Sequence, residues 1–460
     1  MNQLDVFSGV PVSLEEMLIC REKRVALQQK MICDTECFSL ISFTLNIPGD
    51  IKQSAALNAV FEEGAAQLRT IFGGYILDER INRANTGSEL FLALKLDSYI
   101  AKERTLCVEN THFLGRLFDI DVLDYECKAV SRDKLSQPHR RCLLCGEDAK
   151  TCSRNHSHAV KLLREHITNM VNAFFREKFA DRFMIYAVRA LLYEVSITPK
   201  PGLVDRSNSG AHSDMDFFTF LDSSTALMPW LQKTFQLGWD YAQQDTHMLF
   251  TALRYVGLQA EKEMYAATNG VNTHKGAIFS FAILGGALGK AYASSWNPPA
   301  MKNVLLTASE IANCSLHDFD THSETHGVRC FLTHGIDGIR GEASRGFPAA
   351  VQVGLPALRT AIERGLSIND AAVHTLLSLI GCVQDTNMIH RGGIAAACAC
   401  MSEAKKMASS YYSSMQMSDT LKKLDEKYIA ENLSPGGCAD ILSITLMLWF
   451  LLENGFLTDE

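Results

Sequence analysis

The spacing of apolar residues changes once along this chain, near residue 172, and that change constrains the fold more than any other feature. Before it, residues 37–48 alternate between apolar and polar side chains, which is typical of a half-buried β-strand. Helical spacing fills the intervals between such segments. Strands are predicted at residues 37–48, 90–96, 104–108 and 117–123, and helices at residues 14–30 and 53–68.

After residue 172 the alternation disappears, and long segments rich in Ala and Leu are separated by Gly, Pro or Asn, as in consecutive helices. The longest apolar run, residues 441–452, is shorter than the roughly 20 residues that a membrane span needs, so we interpret it as a buried helix. Helices are predicted at residues 179–194, 223–240, 301–312, 370–383, 393–412 and 439–453.

The chain is therefore expected to be multidomain. An α+β domain would occupy residues 1–172 and an all-α domain residues 173–460, joined within a helix around residues 160–178. A length of 460 residues agrees with this, because it exceeds that of a typical single domain.

Composition favours a cytoplasmic protein. The net charge of −8 argues against nucleic acid or a membrane surface as a partner. The start of the chain lacks the apolar segment of a secretory signal, and fourteen cysteines then indicate reduced thiols. A local exception is residues 128–164, where nine basic residues outnumber three acidic ones; this strip is either a solvated surface or a site for an anion.

Asp119 and Asp121 lie on the predicted strand 117–123. Residues two apart share a face of a strand, so the two carboxylates project together while Ile120 and Val122 point to the other side. Paired carboxylates repel unless a cation lies between them, and Mg²⁺ would complete its shell with phosphate oxygens. The alternative interpretation is an exposed polar strand face.

Three cysteines follow closely: Cys142, Cys145 and Cys152. Their spacing could provide zinc ligands, with His156 or His158 behind them, but it does not define a unique fourth ligand. We therefore favour reduced structural or substrate-contacting thiols over zinc.

Residues 110–124, Ser131-Arg132 and residues 138–158, with the strand end at 45–49, resemble the holo-citrate-lyase acyl-carrier-protein synthase family. The resemblance covers nearly all of residues 1–170. It implies a nucleotidyltransferase-like domain that transfers phosphoribosyl-dephospho-CoA to a serine of the citrate lyase acyl carrier protein, the gamma subunit, with release of pyrophosphate. It also implies Mg²⁺ at Asp119 and Asp121. The residues expected to contact phosphate are Arg116, Arg132, Arg140 and Arg141.

The second half contains five polar, glycine-containing segments at the ends of apolar helices: residues 194–216, 269–276, 335–348, 385–393 and 434–440. Each alone could be an ordinary helix cap. Together, in an otherwise apolar domain, they predict one shared cleft for a charged ligand.

The runs TPKPGLVDRSNSGAHSDMD, GVNTHKG, GIRGE, DTN and GGCAD in these segments resemble the triphosphoribosyl-dephospho-CoA synthase family over residues 180–455. The resemblance implies that ATP and 3′-dephospho-CoA are the substrates and that adenine is released. The product would be the group that the first domain transfers.

Breaking a ribosyl–adenine bond needs an acid at adenine, a base for the incoming hydroxyl and cations at the triphosphate. We expect His212 or His274 to be the acid. The other catalytic or Mg²⁺-binding candidates are Asp214, Asp216, Asp385 and Glu342. The residues expected to bind phosphate or substrate are Lys200, Asp205, Arg206, Asn208, Asn272, Lys275, Arg340, Asn387 and Arg391.

Two other functions compete with this one. The same chemistry could serve a malonate decarboxylase carrier protein, which the catalytic motifs would not distinguish. A zinc-containing module that binds nucleic acid through residues 128–164 is disfavoured, because the strip has few aromatic residues for stacking.

Overall fold

The structure is a computed structural model that describes residues 5–316, 330 and 332–459. The chain divides into two compact units, Met1–Phe175 (unit 1) and Arg176–Glu460 (unit 2). A single helix, Val160–Ser196, runs through the point of division.

Unit 1 combines helices with one four-stranded sheet. The strand order is β2-β3-β1-β4, and every neighbouring pair is antiparallel. Its elements are α1 (Leu14–Thr35), β1 (Ser39–Leu45), α2 (Ala55–Phe72), β2 (Ile76–Asn82), β3 (Glu89–Leu94), α3 (Ser98–Thr111), β4 (Phe118–Asp124), α4 (Ala149–Arg154) and the start of α5 (Val160–Ser196).

The two faces of the sheet pack against different helices. On one face Phe43 of β1 stacks on Phe61 of α2, with ring centroids 5.1 Å apart. On the other face Leu40 and Phe91 belong to a buried cluster with Met31 of α1. Strand β1 forms where the alternation predicts it, but both of its faces are covered by apolar layers, so residues 39–43 are all buried and not half-buried.

In unit 1 one predicted strand is wrong, and one observed strand was not predicted. Residues 104–108 form part of helix α3, where Lys102, Leu106 and Glu109 are buried at helical spacing. A run of five residues is too short to distinguish the helical period of 3.6 residues from the strand period of two. Strand β2 was not predicted. Most of its residues are half-buried, so neither face requires the regular apolar alternation that would mark a strand in the sequence.

Unit 2 is helical throughout its described residues. The predicted helix 223–240 is two helices that meet at Leu227, where Pro229 lies in the first turn of the second. The helices are α6 (Phe217–Ala226), α7 (Met228–Asp240), α8 (Thr246–Ala267), α9 (Lys275–Ser294), α10 (Met301–Asn313), α11 (Gly338–Ser344), α12 (Leu355–Glu363), α13 (Ile368–Ile380), α14 (Thr386–Ser409), α15 (Ser418–Ala430) and α16 (Gly436–Glu453).

Helices α9 and α16 are long and apolar enough to cross a membrane, but most of each is buried within the protein. They belong to the core of unit 2, which explains their composition. Glycines bring α7 and α9 together, since a Cβ on Gly238 would lie 2.1 Å from the Gly286 carbonyl oxygen.

Candidate active sites

All five polar segments of unit 2 line one cavity of about 1320 Å³. Helices α9, α14 and α16 each direct their first turn towards it. The residues with sequence-predicted roles that line the cavity are Lys200, His212, Asp214, Asn272, His274, Lys275, Arg340, Glu342, Asp385, Asn387 and Arg391.

Lys200 is a buried cation in the cavity wall. Its Nζ lies 2.5 Å from Glu194 Oε1, and only 2% of the lysine is exposed. Burial raises the pKa of Glu194, while the charge of Lys200 opposes that rise. The pair therefore brings one cation and one carboxylate to the same part of the wall.

Asp385 caps helix α14 and also contacts helix α16. Its Oδ1 accepts hydrogen bonds from the backbone N–H groups of Asn387 (2.8 Å) and Met388 (3.1 Å), and its Oδ2 accepts one from Cys438 (2.8 Å). Burial raises the pKa of Asp385, and these three N–H groups counteract that effect.

Asp440 is a cavity residue that the predicted site omits. Its pKa is raised well above the usual range, first by burial and then by the nearby charges of Glu194 and Asp385. Gly276 at the start of α9 leaves the space for it, because a Cβ there would lie 2.0 Å from Asp440 Oδ2. Three carboxylates therefore lie close together in the cavity.

His274 is buried and electrically neutral at neutral pH. Burial and then the charge of Lys200 lower its pKa to about 3. Its Nδ1 lies 2.7 Å from Ser223 Oγ, which also accepts a hydrogen bond from Thr273 Oγ1 (2.6 Å). Nε2 has no hydrogen-bond partner within the described part of the chain.

His212 is held between two segments of the cavity wall. Its Nδ1 lies 3.3 Å from Arg391 Nη2, and its Nε2 lies 2.9 Å from Ser434 Oγ. Because Arg391 can only donate, Nδ1 must accept, which leaves the imidazole neutral. Burial and the Arg391 charge lower the pKa of His212, and Asp214, 4.0 Å away, partly offsets this.

Four residues with predicted site roles do not line the cavity. Asp205 is buried beneath its loop and accepts from Thr198 Oγ1 (2.7 Å) and the Lys200 N–H (2.9 Å), among others. Arg206 is exposed and contacts Asn369, and Asn208 donates to Asp425 (2.8 Å). Asp216 caps α6: its side-chain oxygen accepts a hydrogen bond from the Thr219 N–H (2.9 Å).

Other predicted residues lie at the cavity wall with protein partners. Asn272 Oδ1 accepts from the Lys275 N–H (3.2 Å), and Lys275 Nζ pairs with Glu261 Oε2 (2.9 Å). Glu342 accepts from the Ala349 N–H (3.1 Å). Its pKa is raised by burial, against the lowering effects of that N–H and of Arg345.

In unit 1, Asp119 and Asp121 share one face of β4, as predicted. They pair across the strands with Thr44 and Ser42 of β1, whose side chains are small and polar. Ile120, between them, is buried on the opposite face. The pKa of Asp121 is raised, first by the surrounding protein atoms and then by the charge of Asp119.

Arg132 and Arg140 converge on Glu109, a buried carboxylate of α3 that the sequence analysis missed. Arg140 Nη2 also donates to the Phe118 carbonyl oxygen (2.6 Å), and its Nη1 lies 3.5 Å from Asp119 Oδ1. This places one guanidinium beside the carboxylate pair. Arg116 is half-buried, and burial lowers its pKa, followed by the charges of Arg140 and Arg132. Arg141 is exposed.

Cys142, Cys145, Cys152 and His158 come together in unit 1. One ligand atom from each lies within 4.8 Å of the other three. His158, rather than His156, is the histidine that the fold brings to the cysteines.

The sequence contains a partial signal for the site residues that were not predicted. Asp440 lies within the GGCAD run and Glu194 begins the first polar segment, but local sequence does not show which residue of a segment faces a cavity. Glu109 and Glu261 lie within helices and have no local signal.

Comparison with known proteins gives two consecutive matches. The family described as "Apo-citrate lyase phosphoribosyl-dephospho-CoA transferase" matches residues 12–174, and "ATP:dephospho-CoA triphosphoribosyl transferase" matches residues 180–457. The chain is 35% identical to "Protein CitXG" of Leuconostoc mesenteroides subsp. cremoris over 97% of this chain and 98% of that protein. It is 33% identical to "Protein CitXG" of Haemophilus influenzae over 97% of each.

A third relative matches the second half alone. It is the "Probable 2-(5''-triphosphoribosyl)-3'-dephosphocoenzyme-A synthase" of Streptococcus mutans, 39% identical over 60% of this chain and 98% of that protein. The two consecutive family matches, one over the α+β unit and one over the helical unit, define a bifunctional transferase. The chain belongs to the CitXG family, which joins these two transferases in this order. It makes the citrate lyase prosthetic group and transfers it to the apo-enzyme, so the malonate decarboxylase alternative is not favoured.

Proposed function

We propose that unit 2 forms 2′-(5″-triphosphoribosyl)-3′-dephospho-CoA in its cavity and that unit 1 transfers this product at Asp119 and Asp121. The domains proposed for the two activities are residues 173–460 and 1–172. The observation that carries the proposal is the convergence of five polar segments on one cavity. In the first reaction the bond from C1′ of the ATP ribose to adenine breaks, a bond from that carbon to the 2′-oxygen of dephospho-CoA forms, and the hydroxyl proton ends on adenine.

The cations of the cavity suit a triphosphate. Lys200, Lys275, Arg340 and Arg391 all line it, and they come from four of the five segments. The N-termini of α9, α14 and α16 add partial positive charge, which favours anions. Substrate phosphates would therefore lie between these helix ends, with the guanidinium of Arg391 held in position by His212.

Asp385 and Asp440 fit a magnesium ion. Mg²⁺ binds carboxylate oxygens, and the neighbouring carboxylates that raise the pKa of Asp440 make a cation favourable there. When bound, the ion would neutralise and orient the triphosphate oxygens. Asp214 is an exposed cavity residue, and Asp216 caps a helix, so Asp385 and Asp440 are better placed than that pair to bind the metal.

Glu342 is the group best suited to protonate adenine. It lines the cavity, and burial raises its pKa, so it retains a proton closer to neutral pH than an exposed carboxyl would. The two histidines are less suited, because both are neutral in their present hydrogen-bond networks.

Adenine release tests the assignment of the cavity. We expect Asp440→Asn to reduce adenine release from ATP and dephospho-CoA in magnesium buffer by at least about 100-fold, the scale of losing an electrostatic contact in an active site. Asp419→Asn, which removes an exposed carboxylate from α15, is the matched control and should retain wild-type turnover. Equal turnover in both variants would refute the assignment.

For unit 1 we propose nucleotidyltransferase-like chemistry on the antiparallel sheet. The serine hydroxyl of the gamma-subunit acyl carrier protein would attack the phosphorus nearest the ribose, and pyrophosphate would leave. Asp119 and Asp121 fit Mg²⁺ as a carboxylate pair on one strand face, and Arg140 would stabilise the leaving group from beside Asp119. Arg116, Arg132 and Arg141 would then contribute through local positive charge or by orienting Arg140.

The proposed location is the cytoplasm. All fourteen cysteines are free thiols, which is typical of a reducing compartment. The proposed partner is the acyl carrier protein alone, with no role for nucleic acid or a membrane.

A further inference from the structure

We propose that Cys142, Cys145, Cys152 and His158 bind one structural zinc ion in unit 1. The four side chains provide three sulfurs and one imidazole nitrogen, which is a common ligand set of structural zinc sites. The sequence leaves the fourth ligand undefined between two histidines; the fold selects His158. This inference does not depend on the proposed catalytic roles.

The distances between ligand atoms suit tetrahedral coordination. Cys145 Sγ lies 3.4 Å from Cys152 Sγ, which lies 3.9 Å from His158 Nε2. Zinc–sulfur bonds of about 2.3 Å at tetrahedral angles separate two sulfurs by about 3.8 Å. Small adjustments of side chains would therefore close the site around an ion.

The backbone at the first two cysteines forms a tight turn. The N–H of Cys142 donates to the Glu147 carbonyl oxygen across it. Gly146 follows with a φ of +76°, a left-handed conformation that glycine adopts without steric cost. This turn presents both sulfurs of the Cys-x2-Cys pair on one side.

The surrounding segment has no apolar core of its own. All of residues 131–159 are described, and none of them is buried. The only α-helix of this segment, α4, has six residues, and an isolated helix that short is marginal in water. Segments that cannot build an apolar core commonly depend on a metal or a disulfide.

Zinc would act on catalysis by positioning Arg140. The Arg140 carbonyl oxygen accepts from the Ala149 N–H (2.8 Å), and Cys142 follows two residues later. A metal holding Cys142 to Cys152 of α4 would thus fix the chain on both sides of this contact. Arg140 would then remain beside Glu109 and Asp119. Arg140 is the residue that acts, and the metal ligands only position it.

The test is the metal content of the full-length chain purified without an affinity tag. We expect about one zinc per chain by mass spectrometry of metals, and a loss of at least about tenfold in Cys145→Ser and His158→Ala. Cys152→His keeps a zinc ligand and should retain the metal. The controls Cys33→Ser and Cys107→Ser alter exposed thiols of the same unit and should also retain it.

Cobalt provides a measurement that does not require activity. Cobalt exchanged into the wild-type protein should give the sulfur-to-metal absorption of a tetrahedral thiolate site, and Cys145→Ser should lose it. Zinc far below one per chain, or zinc equally present in Cys145→Ser and wild type, would overturn the proposal. So would a Cys145–Cys152 disulfide in anaerobically purified protein, detected by alkylation and mass spectrometry.

Discussion

Asp385 accepts a hydrogen bond from the backbone N–H of Cys438 at 2.8 Å, so a single carboxylate caps helix α14 and also binds the first turn of helix α16. These two helix ends bring the DTN and GGCAD runs to the same cavity. The contact therefore links the stability of unit 2 to the geometry of its proposed active site.

Replacing this carboxylate should reduce stability and activity together. Asp385→Ala removes a helix cap and leaves a buried N–H of α16 unpaired, which should lower the free energy of unfolding by about 2–4 kcal/mol. All four tryptophans lie in unit 2, so the urea dependence of tryptophan fluorescence reports on that unit. Asp370→Ala offers a comparison, because Asp370 accepts from the Ser414 N–H in unit 2 but does not line the cavity. Wild-type adenine release by Asp385→Ala would contradict a role in the site.

The carboxylate pair of unit 1 should be required for only one of the two reactions. We expect Asp121→Asn to reduce labelling of the apo-carrier protein by at least about 100-fold, because the proposed metal ligand loses its charge. Adenine release by the same protein should be unchanged. The control for the loss of one negative charge is Asp34→Asn, which alters an exposed residue of α1. Mass spectrometry of the carrier and chromatography of adenine measure the two reactions separately, and loss of both activities in Asp121→Asn would argue against independent sites.

Glu109 should act through the two arginines that it anchors. Glu109→Gln removes the charge that pairs with Arg132 and Arg140, so we expect carrier labelling to fall by about tenfold or more. Glu103→Gln, on the exposed side of the same helix, should have no effect. The apparent KM for the triphosphoribosylated coenzyme, measured with purified intermediate, should rise in the first variant only. An unchanged KM and an unchanged rate would show that the arginines are held without Glu109.

The stability of unit 2 should fall in acid, in part because of His274. Its folded pKa of about 3 lies below the ordinary value of 6.5, so the unfolded chain binds a proton over this interval and the folded chain does not. Stability from this group is therefore complete above pH 6.5 and declines as the pH falls towards 3. Between pH 6.5 and 4.5 the loss should be about 2–3 kcal/mol. In His274→Gln the decline in urea midpoint over this interval should be smaller, and an identical decline would show that His274 is not the source.

The packing of α7 on α9 should tolerate no side chain at Gly238. A Cβ there would lie 2.1 Å from the Gly286 carbonyl oxygen, so Gly238→Ala should destabilise unit 2 by about 1–3 kcal/mol or more. Gly257 of α8 has open space around it, and Gly257→Ala should raise stability by about 0.5–1 kcal/mol through helix propensity. Urea unfolding measured by tryptophan fluorescence compares the two variants. A destabilisation of equal size in both would contradict the close helix contact.

Local sequence was sufficient for features that depend on period and spacing. The alternation in residues 37–48 predicted β1, and the Asp-x-Asp spacing predicted that both carboxylates share a strand face with Ile120 behind them. The change near residue 172 separated an α+β region from a helical one. Side-chain direction along a strand or helix repeats every two or 3.6 residues, so these properties are fixed over a few neighbouring positions.

Only the tertiary structure decided which members of each polar segment meet. In the folded chain Asp440 lines the cavity, whereas Asp205 is buried beneath its loop and Asp216 caps a helix. His158, and not His156, lies beside the three cysteines. It also made residues 104–108 helical, because burial against the sheet favours one face of α3. Each outcome depends on contacts between residues far apart in the chain, and no local pattern encodes which distant partner a side chain will find.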